Sequence, residues 1–221
     1  MVAGYVSLVR PAVPFAAALL CLPIAAAASP RGFETEVLGD LNAMRADPDR
    51  YTDELLDYRD RIDGLIAYGA DGEGDFQTRE GVRPVDEAIA QLRRTAPLGE
   101  LRFSDVLARA AADHVAAQSR SGGVGHISNG RNPGARVVAR GGGRYVGEVI
   151  TYGHSDPASV VRQLIVDDGV PGRGHRWQLL SARYRYAGVA CGPHRVWRTM
   201  CVIDLSETPD GSPPPPPKRS P

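Results

Sequence analysis

The sequence predicts an α+β domain, and three observations lead to this fold class. Apolar residues recur at three- and four-residue steps through much of the chain, which is the period of an amphipathic helix. Residues 145–152, YVGEVITY, alternate as a β-strand does. Two further strand-like segments, residues 186–191 and 196–205, flank a turn that contains Gly-Pro. With 221 residues and 43% hydrophobic content, the chain is large enough for one domain with a substantial core.

Six helices are predicted from their apolar period and their end signals. Asp47-Pro48 stops the first helix and caps the second. Ser104 caps the fourth, which is rich in alanine and ends at Gly122-Gly123, so a neighbouring element can approach it closely. His114 on this helix is interpreted as a packing residue. The predicted helices span residues 34–46, 48–62, 84–94, 105–119 and 132–140, and the last opens at Pro157 and continues through Ile165.

Residues 64–81 are rich in glycine and acidic side chains and are predicted to form a loop. Asp71, Glu73 and Asp75 alternate within it, which invites a calcium interpretation. The twelve-residue EF-hand pattern is absent, so a solvated loop is favoured.

Residues 1–28 are predicted to be a secretory signal peptide. Arg10 precedes the apolar run 13–24, and the alanines at 25–28 give an A-x-A-type cleavage pattern. The run is too short to predict a membrane anchor. We therefore expect a secreted or periplasmic protein with no transmembrane segment after cleavage.

The cysteines support an exported protein. Cys21 suggests a lipoprotein, but Leu20 before it is too bulky for the usual small residue at that position. Removal of the signal leaves only Cys191 and Cys201, an even pair that favours a disulfide across a hairpin. A pair of metal thiolates is the alternative, disfavoured because the C-x-x-C spacing is absent.

The charge balance and the C terminus narrow the class of partner. Basic and acidic residues number 26 each, so nothing indicates a nucleic-acid partner. Residues 207–221 are predicted to be a Pro-rich disordered tail, which we interpret as a spacer rather than a Pro-rich ligand. We expect a monomer.

The stretch most informative for function is residues 163–181, QLIVDDGVPGRGHRWQLLS. A glycine-studded loop separates Asp167 and Asp168 from His175, and its glycines allow it to fold back tightly. A carboxylate beside an imidazole makes a metal half-site, an acid/base pair or a plain ion pair. Glu148, on the apolar face of the 145–152 strand, needs a partner if it is buried; the alternative is a half-solvated face.

The order of several motifs resembles the CAP superfamily, which comprises cysteine-rich secretory proteins, antigen 5 and pathogenesis-related 1 proteins. The similarity is greatest to bacterial secreted members with an SCP-like domain, and it covers residues 33–206. Its most specific pieces are GEV at 147–149 and GHRWQLL at 174–180. The motifs that carry it are, in order, LNAMRADP, SDVLARAAADHV, GHISNG, GEVITYG and GHRWQLLSARYRYAGVA.

The resemblance implies a three-layer αβα sandwich with a central antiparallel sheet. It also implies a cleft where two histidines and two acidic residues meet. On matching positions these are His126, Glu148 and His175, with Asp167 where the family usually has a glutamate. Asp168 lies beside it, and the sequence leaves open which aspartate faces the cleft.

Two imidazoles with carboxylates suit zinc or another divalent cation, held by His126 and His175. The preferred hypothesis is a secreted domain whose cleft binds such an ion and a lipid, sterol or cell-wall component; the ligand class follows from the resemblance alone. The first alternative is a metal-assisted hydrolase with Glu148 or Asp167 as general base. The second is a structural or adhesive domain. Ser128 is considered as a nucleophile, but bonding to its loop backbone is favoured.

Overall fold

The coordinates are a computed structural model that describes residues 31–70 and 74–216. The predicted signal peptide, residues 1–28, lies outside the described residues, as do Asp71 and Glu73 of the predicted acidic loop and the last five residues of the tail. Among the described residues, no helix is long and apolar enough to cross a membrane.

Seven α-helices and two sheets make up the described chain, in the mixed α+β order that the sequence predicts. The helices are α1 (Arg31–Ala46), α2 (Pro48–Asp60), α3 (Arg83–Leu92), α4 (Asp105–Ser121), α5 (Pro133–Ala139), α6 (Pro157–Val166) and α7 (Gly174–Leu179). The strands are β1 (Ile62–Asp63), β2 (Ile66–Ala67), β3 (Phe76–Gln77), β4 (Arg102–Phe103), β5 (Val146–Tyr152), β6 (Tyr186–His194) and β7 (Arg198–Ser206).

The helix boundaries follow local capping chemistry, and the predicted caps are confirmed. Asp47 accepts a hydrogen bond from the Arg50 N–H at the start of α2, and Ser104 Oγ accepts one from the Leu107 N–H at the start of α4. Gly122 ends α4 in the left-handed conformation, with φ 71°. Short side chains that bond to the first free N–H groups are sufficient to start these helices wherever the chain goes next.

The main sheet has the strand order β4-β6-β7-β5. Its three long strands are antiparallel, and the two-residue β4 is parallel to β6 at one edge. The helices α4 and α5 cover one face of this sheet. The other face carries the larger core, to which α1, α3, α6 and α7 contribute. The three-layer αβα sandwich is therefore confirmed.

The alanine-rich character of α4 matters because the helix lies unusually close to the sheet. A Cβ atom on Gly188 of β6 would collide with the backbone nitrogen of Ala108. Both elements thus use their smallest residues at the contact, which allows the close approach that the sequence predicts.

The prediction that residues 64–81 form a loop was wrong in part. The strands β1, β2 and β3 pair there as a small antiparallel sheet, with Ile66 opposite Gln77. Each strand has only two residues, which is too short for an alternating pattern to appear in the sequence.

The disulfide between Cys191 and Cys201 is confirmed, and the two residues lie directly opposite each other in the β6–β7 ladder. The predicted turn at residues 192–195 was misplaced. The ladder continues to His194, which pairs with Arg198, and the turn is residues 195–197.

A tertiary contact explains the longer hairpin. The buried His194 ring bonds through Nε2 to the Gly123 carbonyl at 2.9 Å, and its Nδ1 accepts the N–H groups of Val196 and Trp197. These bonds stabilise the strand beyond the Gly-Pro pair, and short-range turn chemistry gives no sign of them.

Ordered packing continues past residue 207, the predicted start of the disordered tail. The Gly143 N–H donates to the Asp210 carbonyl at 2.8 Å, and the Tyr145 N–H donates to the Gly211 carbonyl at 2.9 Å. The chain is therefore hydrogen-bonded to the domain as far as Gly211, beside the start of β5.

Candidate functional site

Two histidine–carboxylate pairs face each other between the sheet and the helix α7. His126 Nδ1 lies 2.8 Å from Glu148 Oε1, and His175 Nδ1 lies 2.7 Å from Asp167 Oδ1. The two imidazole rings are 6.4 Å apart between centroids and are tilted by 56°. The structure thus brings together the four side chains that the sequence singles out.

The sheet positions Glu148. This residue is in the middle of β5, on the face covered by α4 and α5, and it is buried. Its Oε2 forms an ion pair with the guanidinium of Arg136 on α5, which is also buried. The same guanidinium donates to the His126 carbonyl at 2.9 Å. Arg136 therefore holds both members of the first pair, and it supplies the partner that a buried Glu148 was expected to need.

Sequence reasoning missed Arg136. It is one of many arginines in the chain, and its short helix has no motif that marks a buried charge. Only its 2% exposure and its contact with Glu148 distinguish it.

A second buried histidine supports the loop that carries His126. His114 on α4 donates from Nε2 to the Gly125 carbonyl at 2.8 Å, since a carbonyl can only accept. Its Nδ1 then accepts the hydroxyl proton of Ser128 at 2.7 Å. Burial lowers the pKa of His114, which favours this neutral form. His114 is thus a satisfied packing residue, as predicted.

Ser128 differs from the prediction that its hydroxyl bonds to the loop backbone. Its Oγ bonds to an imidazole, while its main chain pairs with Arg131. The partner imidazole of His114 faces a backbone carbonyl on its other side rather than a carboxylate. A Ser/His/carboxylate arrangement is therefore not formed at this histidine.

The end of α6 positions Asp167. This residue caps the helix in the left-handed conformation, with φ 58°, and its side chain turns towards α7. Its Oδ2 accepts the His175 N–H at 2.9 Å and the Arg176 N–H at 3.3 Å, while Oδ1 faces the His175 ring. Asp168 turns away and accepts the N–H groups of Arg79 and Glu80. Of the two adjacent aspartates, Asp167 is the one beside the histidine.

Arg176 stabilises the end of α6, next to Asp167. Its buried guanidinium donates to the carbonyls of Ile165, Val166 and Pro84 at 2.5, 2.6 and 2.9 Å. Burial lowers the pKa of Arg176 to about 10. The positive charge at the last carbonyls of α6 favours the helix end that Asp167 caps. Sequence reasoning also missed this residue.

A third carboxyl group lies behind Glu148. Asp204 of β7 is the register partner of Glu148, is fully buried, and has no hydrogen-bond partner for either oxygen among the described residues. Burial, followed by the charge of Glu148, raises the pKa of Asp204 well above its ordinary value. The His126–Glu148 pair thus lies beside a carboxyl group that favours the neutral form, and no motif in the sequence indicates it.

The imidazole nitrogens of His126 and His175 are suitable ligands for a divalent cation. Each Nδ1 bonds to a carboxylate, so each neutral imidazole keeps its Nε2 lone pair for a metal, the arrangement in which carboxylates orient ligating histidines. A ring centroid lies about 3 Å from a zinc ion bound to its Nε2, so the separation of 6.4 Å is larger than a shared tetrahedral ion allows, and the two rings would have to approach each other to bind one ion together. In residues 31–70 and 74–216, no group of three or more His, Cys, Asp or Glu side chains is placed to hold a metal.

Two apolar side chains flank the histidines. Ile127 follows His126 and is 61% exposed, and Trp177 lies two residues after His175 and is 63% exposed. The polar pairs are thus accompanied by exposed apolar surface, which suits a ligand with both a polar and an apolar part.

Three solved structures show distant similarity to this chain. The first is an extracellular protein containing an SCP domain from Bacillus anthracis, with 21% identity, a TM-score of 0.43 and coverage of 55% of this chain and 37% of the other. The second is an outer surface protein from Borrelia burgdorferi, with 18% identity, a TM-score of 0.42 and coverage of 54% and 86%. The third is a cysteine-rich secretory protein from Staphylococcus aureus, with 14% identity, a TM-score of 0.37 and coverage of 62% and 43%.

This chain therefore spans little more than a third of the Bacillus anthracis protein. TM-scores below 0.5 add no information on ligand or activity. Comparison with curated protein sequences finds no significant match.

The sequence model of the cysteine-rich secretory protein family, CAP, matches residues 87–205. That segment begins within α3 and ends in β7, so it includes both histidine–carboxylate pairs and the main sheet. The match covers more than half of the chain and confirms the resemblance: this protein belongs to the CAP family.

Proposed function

We propose that this chain is an extracellular CAP-domain protein whose cleft binds a divalent cation, zinc first among them, through His126 and His175. The bound ion then takes part in holding a lipid or cell-envelope ligand. The observation that carries the proposal is the facing pair of imidazoles, 6.4 Å apart, each oriented by a carboxylate behind it. A bound divalent ion supplies a Lewis-acidic centre with open positions for water or a ligand oxygen.

The protein's own residues prepare this site in two ways. Glu148 and Asp167 bond to the Nδ1 atoms, which orients the two rings and leaves each Nε2 on the side away from its carboxylate. The exposed side chains of Ile127 and Trp177 provide apolar contact for the rest of a ligand. Family membership fixes neither the ion nor the ligand, since a fold hosts many functions.

The engagement of the carboxylates favours binding over hydrolysis. Glu148 bonds to the His126 ring and to Arg136, and Asp167 bonds to the His175 ring and to two backbone N–H groups. A general base needs a free oxygen that faces substrate or water. Both candidates for that role have their oxygens bonded within the protein.

Calorimetric titration with zinc chloride tests the metal. We expect wild type to bind, and His126→Ala and His175→Ala each to lose at least tenfold in affinity. His154→Gln is the matched control, since His154 packs against Phe76 outside the cleft and should leave affinity unchanged. Equal binding by all four proteins would remove the metal from the proposal and leave the structural or adhesive alternative.

The ligand is tested separately. Binding of a fluorescent sterol or a soluble cell-wall fragment is measured with and without zinc, in wild type and in Trp177→Ala. We expect zinc to increase affinity and the substitution to reduce it. Turnover of peptide, ester or glycan substrates that disappears in Glu148→Gln would instead establish the hydrolase.

A further inference from the structure

The tip of the β6–β7 hairpin has a composition that is unusual for a turn. It reads Arg195-Val196-Trp197-Arg198, whereas exposed turns favour glycine, proline, asparagine, aspartate and serine. Val196 is 62% exposed and Trp197 is 52% exposed. Two large apolar side chains are thus presented to solvent at the most protruding part of the hairpin.

The fold holds this tip rigidly. The buried His194 ring accepts the N–H groups of Val196 and Trp197 and bonds through its other nitrogen to the Gly123 carbonyl. The disulfide of Cys191 and Cys201 joins the strands behind the tip. A buried histidine and a covalent bond therefore maintain an exposed apolar turn, although a polar turn would satisfy the same backbone.

The neighbouring loop extends the same apolar surface. A Cβ atom on Gly122 would lie 3.0 Å from Val196 Cγ2, so the end of α4 packs directly against the tip. Val124, two residues later, is 61% exposed. We call Val124, Val196 and Trp197 the apolar tip.

Arginines surround the apolar tip. Arg195 and Arg198 flank it in the hairpin, Arg120 precedes it at the end of α4, and all three are exposed. Residues 118–126 and 191–203 contain no aspartate or glutamate. In a chain with no net charge, three exposed arginines thus surround the apolar side chains of the tip, while Glu34 of α1 bonds to the Cys191 N–H further back along the hairpin.

We propose that the apolar tip docks this domain onto an anionic lipid bilayer. Tryptophan is favoured at the interface between head groups and acyl chains, and the two valines add apolar burial. The surrounding arginines pair with lipid phosphates and are attracted by the negative surface potential. A protein partner is less favoured, because a stable protein interface buries roughly 800 Å² on each side, far more than three side chains at a tip supply.

The surface is independent of the histidine cleft. His126 and His175 take no part in the apolar tip, and the docking proposal requires neither a metal nor a cleft ligand. Either proposal can therefore fail without the other.

The chain contains only two tryptophans, which allows a matched experiment. Trp177→Phe leaves Trp197 as the sole reporter, and Trp197→Phe leaves Trp177. Each variant is mixed with vesicles of pure phosphatidylcholine or of equal parts phosphatidylcholine and phosphatidylglycerol, and fluorescence and co-sedimentation are measured. We expect a blue shift of Trp197 and sedimentation only with the anionic vesicles; a shift of Trp177 would report lipid at the histidine cleft rather than docking of the apolar tip.

Two further variants test the contribution of the arginines to vesicle binding. Arg195→Gln and Arg198→Gln should each lower the vesicle partition coefficient about fivefold, and added salt should weaken binding further. These positions are exposed, so folding should persist. An unshifted Trp197, equal binding to neutral and anionic vesicles, or a shift of Trp177 alone would overturn the proposal, and the first of these would leave a protein partner as the occupant.

Discussion

The two histidine–carboxylate pairs are chemically alike but are built in different ways. His175 and Asp167 are eight residues apart, and a helix end and one short loop place them together. His126 and Glu148 are 22 residues apart, and their contact depends on the sheet, on α5 and on the loop after α4. The side chain of His126 is 48% exposed, whereas that of His175 is 20% exposed.

The two pairs differ in the groups that interact with the carboxylates of Asp167 and Glu148. Asp167 accepts two backbone N–H groups and faces the His175 ring, and the buried guanidinium of Arg176 lies near enough to interact with it electrostatically while donating to backbone carbonyls. Glu148 faces a buried arginine on one side and the buried Asp204 on the other. The His126–Glu148 pair therefore belongs to a network of buried charges in the core, whereas the His175–Asp167 pair is a local cap. Substitutions in the two pairs should therefore lower the free energy of unfolding by different amounts.

The largest effect is expected for Glu148→Ala, which leaves the buried guanidinium of Arg136 without its carboxylate. The free energy of unfolding should fall by about 3–5 kcal/mol. The measurement is the urea midpoint at constant m-value. In an Arg136→Met background the same change should cost much less, because no unpaired charge remains. An equal loss in both backgrounds would show that the ion pair is not the cause.

A smaller effect is expected for Asp167→Ala, at about 1–3 kcal/mol, because hydrogen bonds are lost while the buried Arg176 guanidinium keeps its three carbonyl partners. Asp167→Asn should cost less, since asparagine accepts the same N–H groups and tolerates the left-handed backbone at this position. Thermal unfolding of the three proteins gives the comparison. Equal costs for alanine and asparagine would contradict the capping role.

Asp204→Asn should instead stabilise the protein by about 1–2 kcal/mol at neutral pH, because wild type takes up a proton to bury the Asp204 carboxyl group and asparagine is neutral without one. The raised pKa of Asp204 means that the folded state holds more protons than the unfolded state above pH 4. Asp204 therefore destabilises wild type increasingly as pH rises, by up to about 1.4 kcal/mol per pH unit, and the variant lacks this dependence. Parallel pH profiles of the two proteins would show that Asp204 binds no extra proton in the folded state.

A further effect is expected in acid and concerns His114, which supports the loop of His126, and His154. Burial lowers the pKa of His114, and it lowers the pKa of His154 to about 4. Between pH 6.5 and 4 the unfolded state binds more protons, so stability should fall as pH falls, by up to about 3 kcal/mol for His154. His114→Gln and His154→Gln should each flatten part of this profile in urea unfolding. If neither does, other groups control acid sensitivity.

Local features of the structure were predictable from the sequence. The caps at Asp47 and Ser104, the left-handed Gly122 and the cysteine pair all depend on neighbours within a few residues or on cysteine count. The loop that returns His175 to Asp167 belongs to the same class, because its glycines and its length permit the contact. The CAP resemblance supplied the sandwich and the remaining pair.

Long-range features were not predictable. The short strands of residues 62–77 and the hairpin end at His194 depend on partners that no local pattern indicates. Arg136, Arg176 and Asp204 look like ordinary charged residues in the sequence, and only the packed structure shows that they are buried.

The sequence by itself determined the caps that start α2 and α4, the glycine that ends α4, and the loop that closes the His175–Asp167 pair. Only the tertiary structure decided which charged groups lie beside Glu148. Burial and register bring a guanidinium and a second carboxyl group beside it, because strands far apart in the chain share one sheet face. The energy of a buried charge depends on those neighbours rather than on the residue's own position in the sequence.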